Sequence, residues 1–475
     1  MSAAPLIEKL PTGVPGLDVL LHGGIPRYSV NLISGGPGCG KTTLAHQIMF
    51  SMARPDRRAM FFTASGEPAL KVLRYQSQYA FFDAGKIGPM IRYVNIADDL
   101  QKWSLEGALE RIMREIADYR PELIFLESVR QVLYPKGRDH AGASRELQYF
   151  VQQLGLMLST WQATSFLIFE FVDARREDDP IFTVADGVIH LCQENDQSAT
   201  GLRIRVQKLR GSAHVRGLNV FRISNAGLRI FPRVLRPFAE ASDPALPPTT
   251  AVRLSTGNRD LDAMLGGGIP AGYSVMVAGP PGCGKTVLAT AFLADGAQRG
   301  ERGVMASIEQ GLSAMANRPL LSLMDGGMVS VVPIDELDIT IEEVAARLLE
   351  EVARTGATRL VIDSLSALEF LLIPQARHQF LEYLFRLVAH LSGRGITVLL
   401  LRSTRGIDHY DFDSGYFVVD GIISMRYVEM EQRLMKVIAV PKLRGSARSE
   451  DVRGYALRED GIDLRGVGSG VLSWT

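Results

Sequence analysis

Two short stretches of this sequence carry what phosphate chemistry requires. Gly35-Gly36-Pro37-Gly38-Cys39-Gly40-Lys41-Thr42-Thr43 and Gly279-Pro280-Pro281-Gly282-Cys283-Gly284-Lys285-Thr286-Val287 both fit the pattern Gly-x4-Gly-Lys-Ser/Thr. Glycines let the backbone curl until its N–H groups converge on a phosphate. A following helix N-terminus adds a positive dipole. Lys41 and Lys285 are then expected to reach the β- and γ-phosphates of ATP, and Thr42 and Thr286 to hold Mg²⁺. Each stretch follows an apolar run and opens a helical one, which is the context the motif needs. Cys39 and Cys283 lie inside the loops and are read as small side chains at a variable position, because thiols of the cytosol are kept reduced.

Magnesium also asks for a carboxylate at the end of an apolar strand. Asp363 meets this after Arg359-Leu360-Val361-Ile362, and Glu127 meets it after Leu123-Ile124-Phe125-Leu126. Each is followed by a serine, Ser364 or Ser128.

The elements that must position these groups are written twice. Thr12-Gly13 with Leu17-Asp18 recurs as Thr256-Gly257 with Leu261-Asp262, and Gly23-Gly24-Ile25-Pro26 recurs as Gly267-Gly268-Ile269-Pro270. Lys208-Leu209-Arg210-Gly211-Ser212-Ala213 recurs as Lys442-Leu443-Arg444-Gly445-Ser446-Ala447. Lys285 follows Lys41 by 244 positions and Lys442 follows Lys208 by 234, so the second copy is the shorter by 10. This is duplication of a whole domain, not a solenoid repeat. The Pro-, Ala-, Ser- and Thr-rich run 237–249 reads as a linker between a first domain, 1–236, and a second, 250–475.

Within each copy, apolar runs alternate with helical segments. Ser29–Ser34, Ala59–Thr63, Leu123–Leu126 and Ser165–Phe169 read as buried strands, and Thr43–Met52, Leu105–Tyr119 and Ala143–Thr160 as helices. The second copy repeats the strands at Val275–Ala278, Gly303–Ser307, Leu360–Ile362 and Thr397–Leu401. The fold class is therefore α/β: two tandem domains, each a mostly parallel sheet flanked by helices. Val188–Cys192, Leu202–Gln207 and Val220–Ile223 are too closely spaced for crossover helices and read as antiparallel strands that finish the sheet.

Composition narrows the class. Of 475 residues, 46% are apolar and 22% charged, with 52 basic against 52 acidic side chains, so no broad basic surface announces a nucleic acid partner. No apolar run reaches the length of a membrane helix. The N-terminus has no signal-peptide pattern, and three cysteines make no disulfide framework, so the cytoplasm is the expected compartment.

The repeated loops, the strand-end acids and the two Lys-Leu-Arg-Gly segments together resemble the KaiC family of RecA-like double-domain ATPases, over nearly the whole chain. The resemblance implies a homo-hexamer with ATP and Mg²⁺ at subunit interfaces. It also implies that Lys208, Arg210 and His214 of the first domain, and Lys442, Arg444 and Arg448 of the second, reach the nucleotide of a neighbouring subunit. A physical reason agrees: cations on a hairpin at the far edge of a sheet serve a neighbour's phosphates more easily than their own, as an arginine finger does.

The departures from the family pattern concern catalysis. The paired glutamates that supply its general base become Glu309-Gln310 in the second domain and Ser65-Gly66 in the first, where Glu67 lies one position further on. A base must sit within hydrogen-bond reach of the proton that it takes. The expectation is that domain two hydrolyses ATP through Glu309 while domain one binds ATP with slow or no turnover. The positions matching the family's phosphorylated Ser-Thr pair are Tyr416 and Phe417, so the autokinase cycle is not expected in that form, though Tyr416 or Ser414 retains a hydroxyl. Two further readings stay open: a nucleotide-gated interaction scaffold, and a RecA-like nucleic-acid motor. The latter would use a mobile basic loop such as Pro135-Lys136-Gly137-Arg138-Asp139-His140, which contains an acid and reads more simply as a solvated loop.

Overall fold

A computed structural model describes residues 7–64, 69–97, 105–127, 152–158, 160–170, 180–196, 199–233, 252–308, 318–334, 339–371, 377–404, 417–430, 433–458 and 461–465. The chain forms two compact units, Met1–Arg233 and Val234–Thr475. The linker read at 237–249 lies outside the described residues.

The first unit begins with a small hairpin, β1 (Lys9–Leu10) and β2 (Ile25–Pro26). Its main sheet contains β3 (Val30–Gly35), β4 (Ala59–Thr63), β5 (Ile91–Asn95), β6 (Leu123–Glu127), β7 (Thr164–Glu170), β8 (Gly187–Asp196), β9 (Ala199–Leu209), β10 (Asn219–Ser224) and β11 (Gly227–Phe231). Among the described residues the order is β11-β10-β9-β8-β3-β7-β6-β4-β5. In the second unit a like hairpin, β12 (Arg253–Leu254) with β13 (Ile269–Pro270), precedes β14 (Ser274–Gly279), β15 (Gly303–Ser307), β16 (Val329–Pro333), β17 (Arg359–Asp363), β18 (Thr397–Ser403), β19 (Gly421–Met430), β20 (Arg433–Leu443), β21 (Arg453–Arg458) and β22 (Gly461–Arg465). Their order is β16-β15-β17-β18-β14-β19-β20-β21-β22, the same topology read from the other edge.

One expectation is corrected. Val188–Cys192 falls in β8, which runs parallel to β3 and antiparallel only to β9. The connection from β7 to β8 spans 171–186, long enough for a crossover, so the sheet turns antiparallel one strand later than the spacing suggested. The first helix also begins earlier than read, at Lys41, because the phosphate loop itself provides its N-cap, Gly40.

The sheets are buried on both faces, so their central strands are apolar throughout rather than alternating. In β4 all five residues are buried. Phe61 faces one core with Phe125 and Phe166, whose rings stack at 4.7 Å, while Met60 and Phe62 face the other. Stacked pairs of this kind contribute about 0.5–1.5 kcal/mol beyond their buried area. Helix boundaries follow local chemistry. The helix Ile341–Thr355 starts at a capping box in which Thr340 Oγ1 accepts from Glu343 N–H and Glu343 Oε2 accepts from Thr340 N–H, and it ends at Gly356 with φ 69°.

The repeated Thr-Gly/Leu-Asp segments prove structural. Asp18 Oδ1 accepts from Thr12 N and Oγ1, both at 2.8 Å, and Asp262 Oδ1 accepts from Thr256 N at 2.8 Å and Oγ1 at 2.7 Å. Each closes the turn that leads into its domain.

Candidate functional site

Both phosphate loops leave the carboxyl end of a central strand, β3 or β14, and enter a helix, Lys41–Met52 or Lys285–Gln298. In open α/β sheets this is where ligands bind. The closing glycines are held to a backbone shape that other residues rarely adopt. Gly40 has φ 88°, and a Cβ there would lie 2.5 Å from Ile223 Cδ1. Gly284 has φ 101°, and its Cβ would lie 2.4 Å from Leu457 Cδ2. The positive φ alone strains any larger residue at either turn, and the side-chain tip beneath it would have to move.

Both lysines bend over their own loops. Lys41 Nζ donates to Gly36 O at 2.7 Å, and Lys285 Nζ donates to Gly279 O at 2.9 Å and Pro280 O at 3.1 Å. Each ammonium is thus held at the mouth of a cradle of backbone N–H groups, which fits the phosphate chain of a nucleotide. Burial lowers the pKa of Lys41, while Cys39, Glu170 and Glu127 oppose that shift. Cys39 and Cys283 are buried, and desolvation raises both thiols against the pull of the adjacent lysines. Both thiols are packed beneath the loops.

The strand-end acids meet the loop threonines. Thr42 Oγ1 donates to Glu127 Oε1 at 2.6 Å, and Thr286 Oγ1 donates to Asp363 Oδ2 at 2.7 Å. A hydroxyl and a carboxylate brought together beside a phosphate cradle are the donor set that Mg²⁺ uses in such sites. Thr42 with Glu127, and Thr286 with Asp363, would hold it, and the ion would neutralise charge on the nucleotide's phosphates.

The Lys-Leu-Arg-Gly segments lie at the other end of each sheet. Arg210 N–H donates to Asp186 O, and Asp186 N–H to Val30 O, which puts Arg210 level with the first residue of β3, whereas the loop departs from the last, Gly35. The separation along the strand is roughly 16 Å at about 3.3 Å per residue. Arg444, Asp420 and Ser274 repeat the arrangement. Lys208 Nζ donates to Phe182 O at 3.0 Å, and Lys442 Nζ to Val419 O at 2.7 Å. Burial lowers both lysine pKa values, with the adjacent Arg210 or Arg444 adding to the effect. A break in register beside each lysine, at Val188/Ile189 and at Ile422/Ser424, marks a bulge of the sort that re-aims side chains. Lys208 also lines a cleft of about 440 Å³ with Phe182, Val188, Arg205 and Leu218. His214 is half-buried, with Nδ1 unpartnered among the described residues, and Arg448 donates to Val440 O at 2.8 Å.

The proposed bases Glu67 and Glu309 lie outside the described residues, as do Gln310, Ser414, Tyr416 and the loop 135–140. Phe417 is described, and is 76% exposed. Reading the sequence missed Glu170. It ends β7 level with Gly35, exposed and close enough that its charge raises the pKa of Lys41. Ser403 holds that place in the second unit. A third acid at the end of an apolar strand was the available signal.

A family model for the KaiC ATPase matches residues 10–234 and 254–466, both units in turn. The chain belongs to the KaiC ATPase family. Among curated relatives, the circadian clock oscillator protein KaiC of Rippkaea orientalis is 27% identical over 97% of this chain and 89% of its own length. The circadian clock oscillator protein KaiC 1 of a Synechocystis species is 25% identical over the same shares. A P-loop ATPase fold in tandem is thus shared across nearly the full length of the KaiC relatives. No helix among the described residues is long and apolar enough to cross a membrane.

Proposed function

We propose that this KaiC-family chain is a cytoplasmic ring ATPase, a homo-hexamer that holds Mg²⁺-ATP at both phosphate loops against the next subunit. Domain two is the engine, with Lys285, Thr286 and Asp363 positioning the nucleotide and Glu309 taking the proton of the attacking water. Domain one keeps its ATP and stabilises the assembly, since a ligand bound only to the folded form shifts that equilibrium. Lys208, Arg210 and His214, and Lys442, Arg444 and Arg448, serve the neighbour's nucleotide. Neither nucleic acid nor membrane is a partner, and autokinase activity is at most residual.

The observation that carries this reading is the pairing of each loop threonine with a strand-end acid while the Lys-Leu-Arg-Gly cations sit at the opposite end of the same sheet. A site so built has its own lysine and metal ligands but takes its second set of cations from elsewhere.

The test is ATP turnover by the wild type, Lys41→Ala, Lys285→Ala, Glu309→Gln and Arg444→Ala. Loss in the last three with survival in Lys41→Ala is the expected result. Loss in Lys41→Ala with survival of Glu309→Gln would reverse the roles and turn attention to Glu67. Mixing inactive Lys285→Ala with inactive Arg444→Ala should restore about a quarter of the sites in a head-to-tail ring, because each site then draws on two subunits.

A further inference from the structure

The two phosphate loops share their sequence pattern but not their support. Behind loop two, Tyr455 of β21 is buried at 6% exposure, and its hydroxyl donates to Cys283 O at 2.6 Å. The matching residue behind loop one is Phe221, fully buried and without a hydroxyl. The match follows from register: Leu457 pairs with Ile462 in unit two as Ile223 pairs with Leu228 in unit one. Tyr427 of β19 stands beside the loop, its hydroxyl 3.3 Å from where a Cβ on Gly282 would be. Gln193 takes its place in unit one, and among the described residues nothing lies within 4 Å of the same point on Gly38.

The Cys283 carbonyl belongs to the peptide that carries the Gly284 N–H. A trans peptide is planar, so its C=O and N–H point in opposite directions. A hydroxyl that holds the carbonyl behind the loop therefore turns the Gly284 N–H forward, into the cradle where phosphate binds. Burial, above all, raises the Tyr455 phenol's pKa, so it remains a donor at any working pH.

We infer that Tyr455 is a positioning residue for the nucleotide of domain two: it orients the Gly284 N–H before the nucleotide arrives, and domain one lacks this device. It rests on the reading of both loops as nucleotide sites but not on which domain turns over. Domain two begins with a donor already aimed, whereas the Cys39–Gly40 peptide of loop one must be ordered by the nucleotide itself. Ordering that happens on binding subtracts from affinity.

The experiment measures binding, not hydrolysis, in the full-length chain. A fluorescent, non-hydrolysable ATP analogue is titrated into Lys41→Ala, which leaves domain two to report, with and without Tyr455→Phe. The same titration into Lys285→Ala reports domain one. Tyr455→Phe should weaken domain-two binding about 5-fold, the effect of one neutral hydrogen bond, with domain one unchanged. The nucleotide-free melting curve separates positioning from damage: a variant that melts as its parent does but binds more weakly has lost orientation only. Phe221→Tyr in the Lys285→Ala background should tighten domain one, and this gain does not depend on Tyr455→Phe folding well. Unchanged domain-two affinity in Tyr455→Phe, or equal weakening of both domains, overturns the assignment. Failure of both parents to bind would instead sink the nucleotide-site reading.

Discussion

The Thr286 hydroxyl donates to Asp363 Oδ2 at 2.7 Å, across the gap between the first turn of a helix and the end of β17. Asp363 is 7% exposed, so a carboxylate there depends on polar partners or a cation. Asp363→Asn keeps the shape and removes the charge. Turnover at saturating Mg²⁺-ATP should fall on the order of 100-fold, and apparent Mg²⁺ affinity about 10- to 100-fold. A Mg²⁺ titration of the steady-state rate checks both. An unchanged Mg²⁺ dependence would remove Asp363 from the metal site.

His46 gives the first unit a pH signature. Its ring is fully buried, against Phe61 at 4.5 Å, and Nδ1 lies 2.8 Å from Thr42 O. A carbonyl only accepts, so Nδ1 carries the proton, and Nε2 is left without a partner among the described residues. Burial pushes the pKa down to about 4, against the hydrogen bond to Thr42. The folded pKa is thus below the unfolded value of about 6.5, so the unfolded chain takes up the extra proton as pH falls. His46 costs no stability above about pH 6.5, and lowering the pH from there toward 4 should remove roughly 3 kcal/mol from the first unit. His46→Thr, which copies Thr290 of the second unit, should flatten the profile of Tm against pH over that window. An equally steep profile in the variant would assign the titration to other groups.

Arg359 anchors the second unit in a way that the first does not use. Its side chain is 1% exposed. It donates to Glu301 at 2.6 Å, Asp295 at 3.1 Å, Phe292 O at 2.6 Å and Ser255 O at 3.0 Å. Leu123 occupies the matching start of β6. Among the described residues, removing Arg359 leaves Asp295 with Arg299 alone, takes the buried guanidinium from Glu301 and strands two backbone carbonyls, so Arg359→Leu should destabilise the second unit by about 3 kcal/mol. Calorimetry should show one of two transitions moving down while the first unit's holds. No shift, or a shift in both, would contradict this.

Much of the fold could be read directly from the chain. The strands Ala59–Thr63 and Gly303–Ser307 and the helix Leu105–Tyr119 have the bounds that their apolar patterns predict. They are buried on both faces or on one broad stripe, and such runs leave little choice of structure. The β8 strand was harder, because a strand with one parallel and one antiparallel neighbour has no pattern of its own. The site divides in the same way. Loop glycines, lysines and threonines sit at fixed offsets that only one backbone shape explains. Glu170 carried only the signal of an acid that ends an apolar strand, and Tyr455 comes from a distant strand with nothing in its own neighbourhood to mark it.

Duplication, two phosphate loops and paired strand-end acids were determined by sequence alone, because each is a local pattern set by backbone geometry. Tertiary structure decided what surrounds them. It placed Thr42 on Glu127 and Thr286 on Asp363, put the Lys-Leu-Arg-Gly cations at the opposite end of the sheet, and set a tyrosine hydroxyl behind one loop but a phenylalanine behind the other. These contacts join residues 77 to 172 positions apart in the second unit. Only strand order and register bring such residues together, and no local preference encodes them.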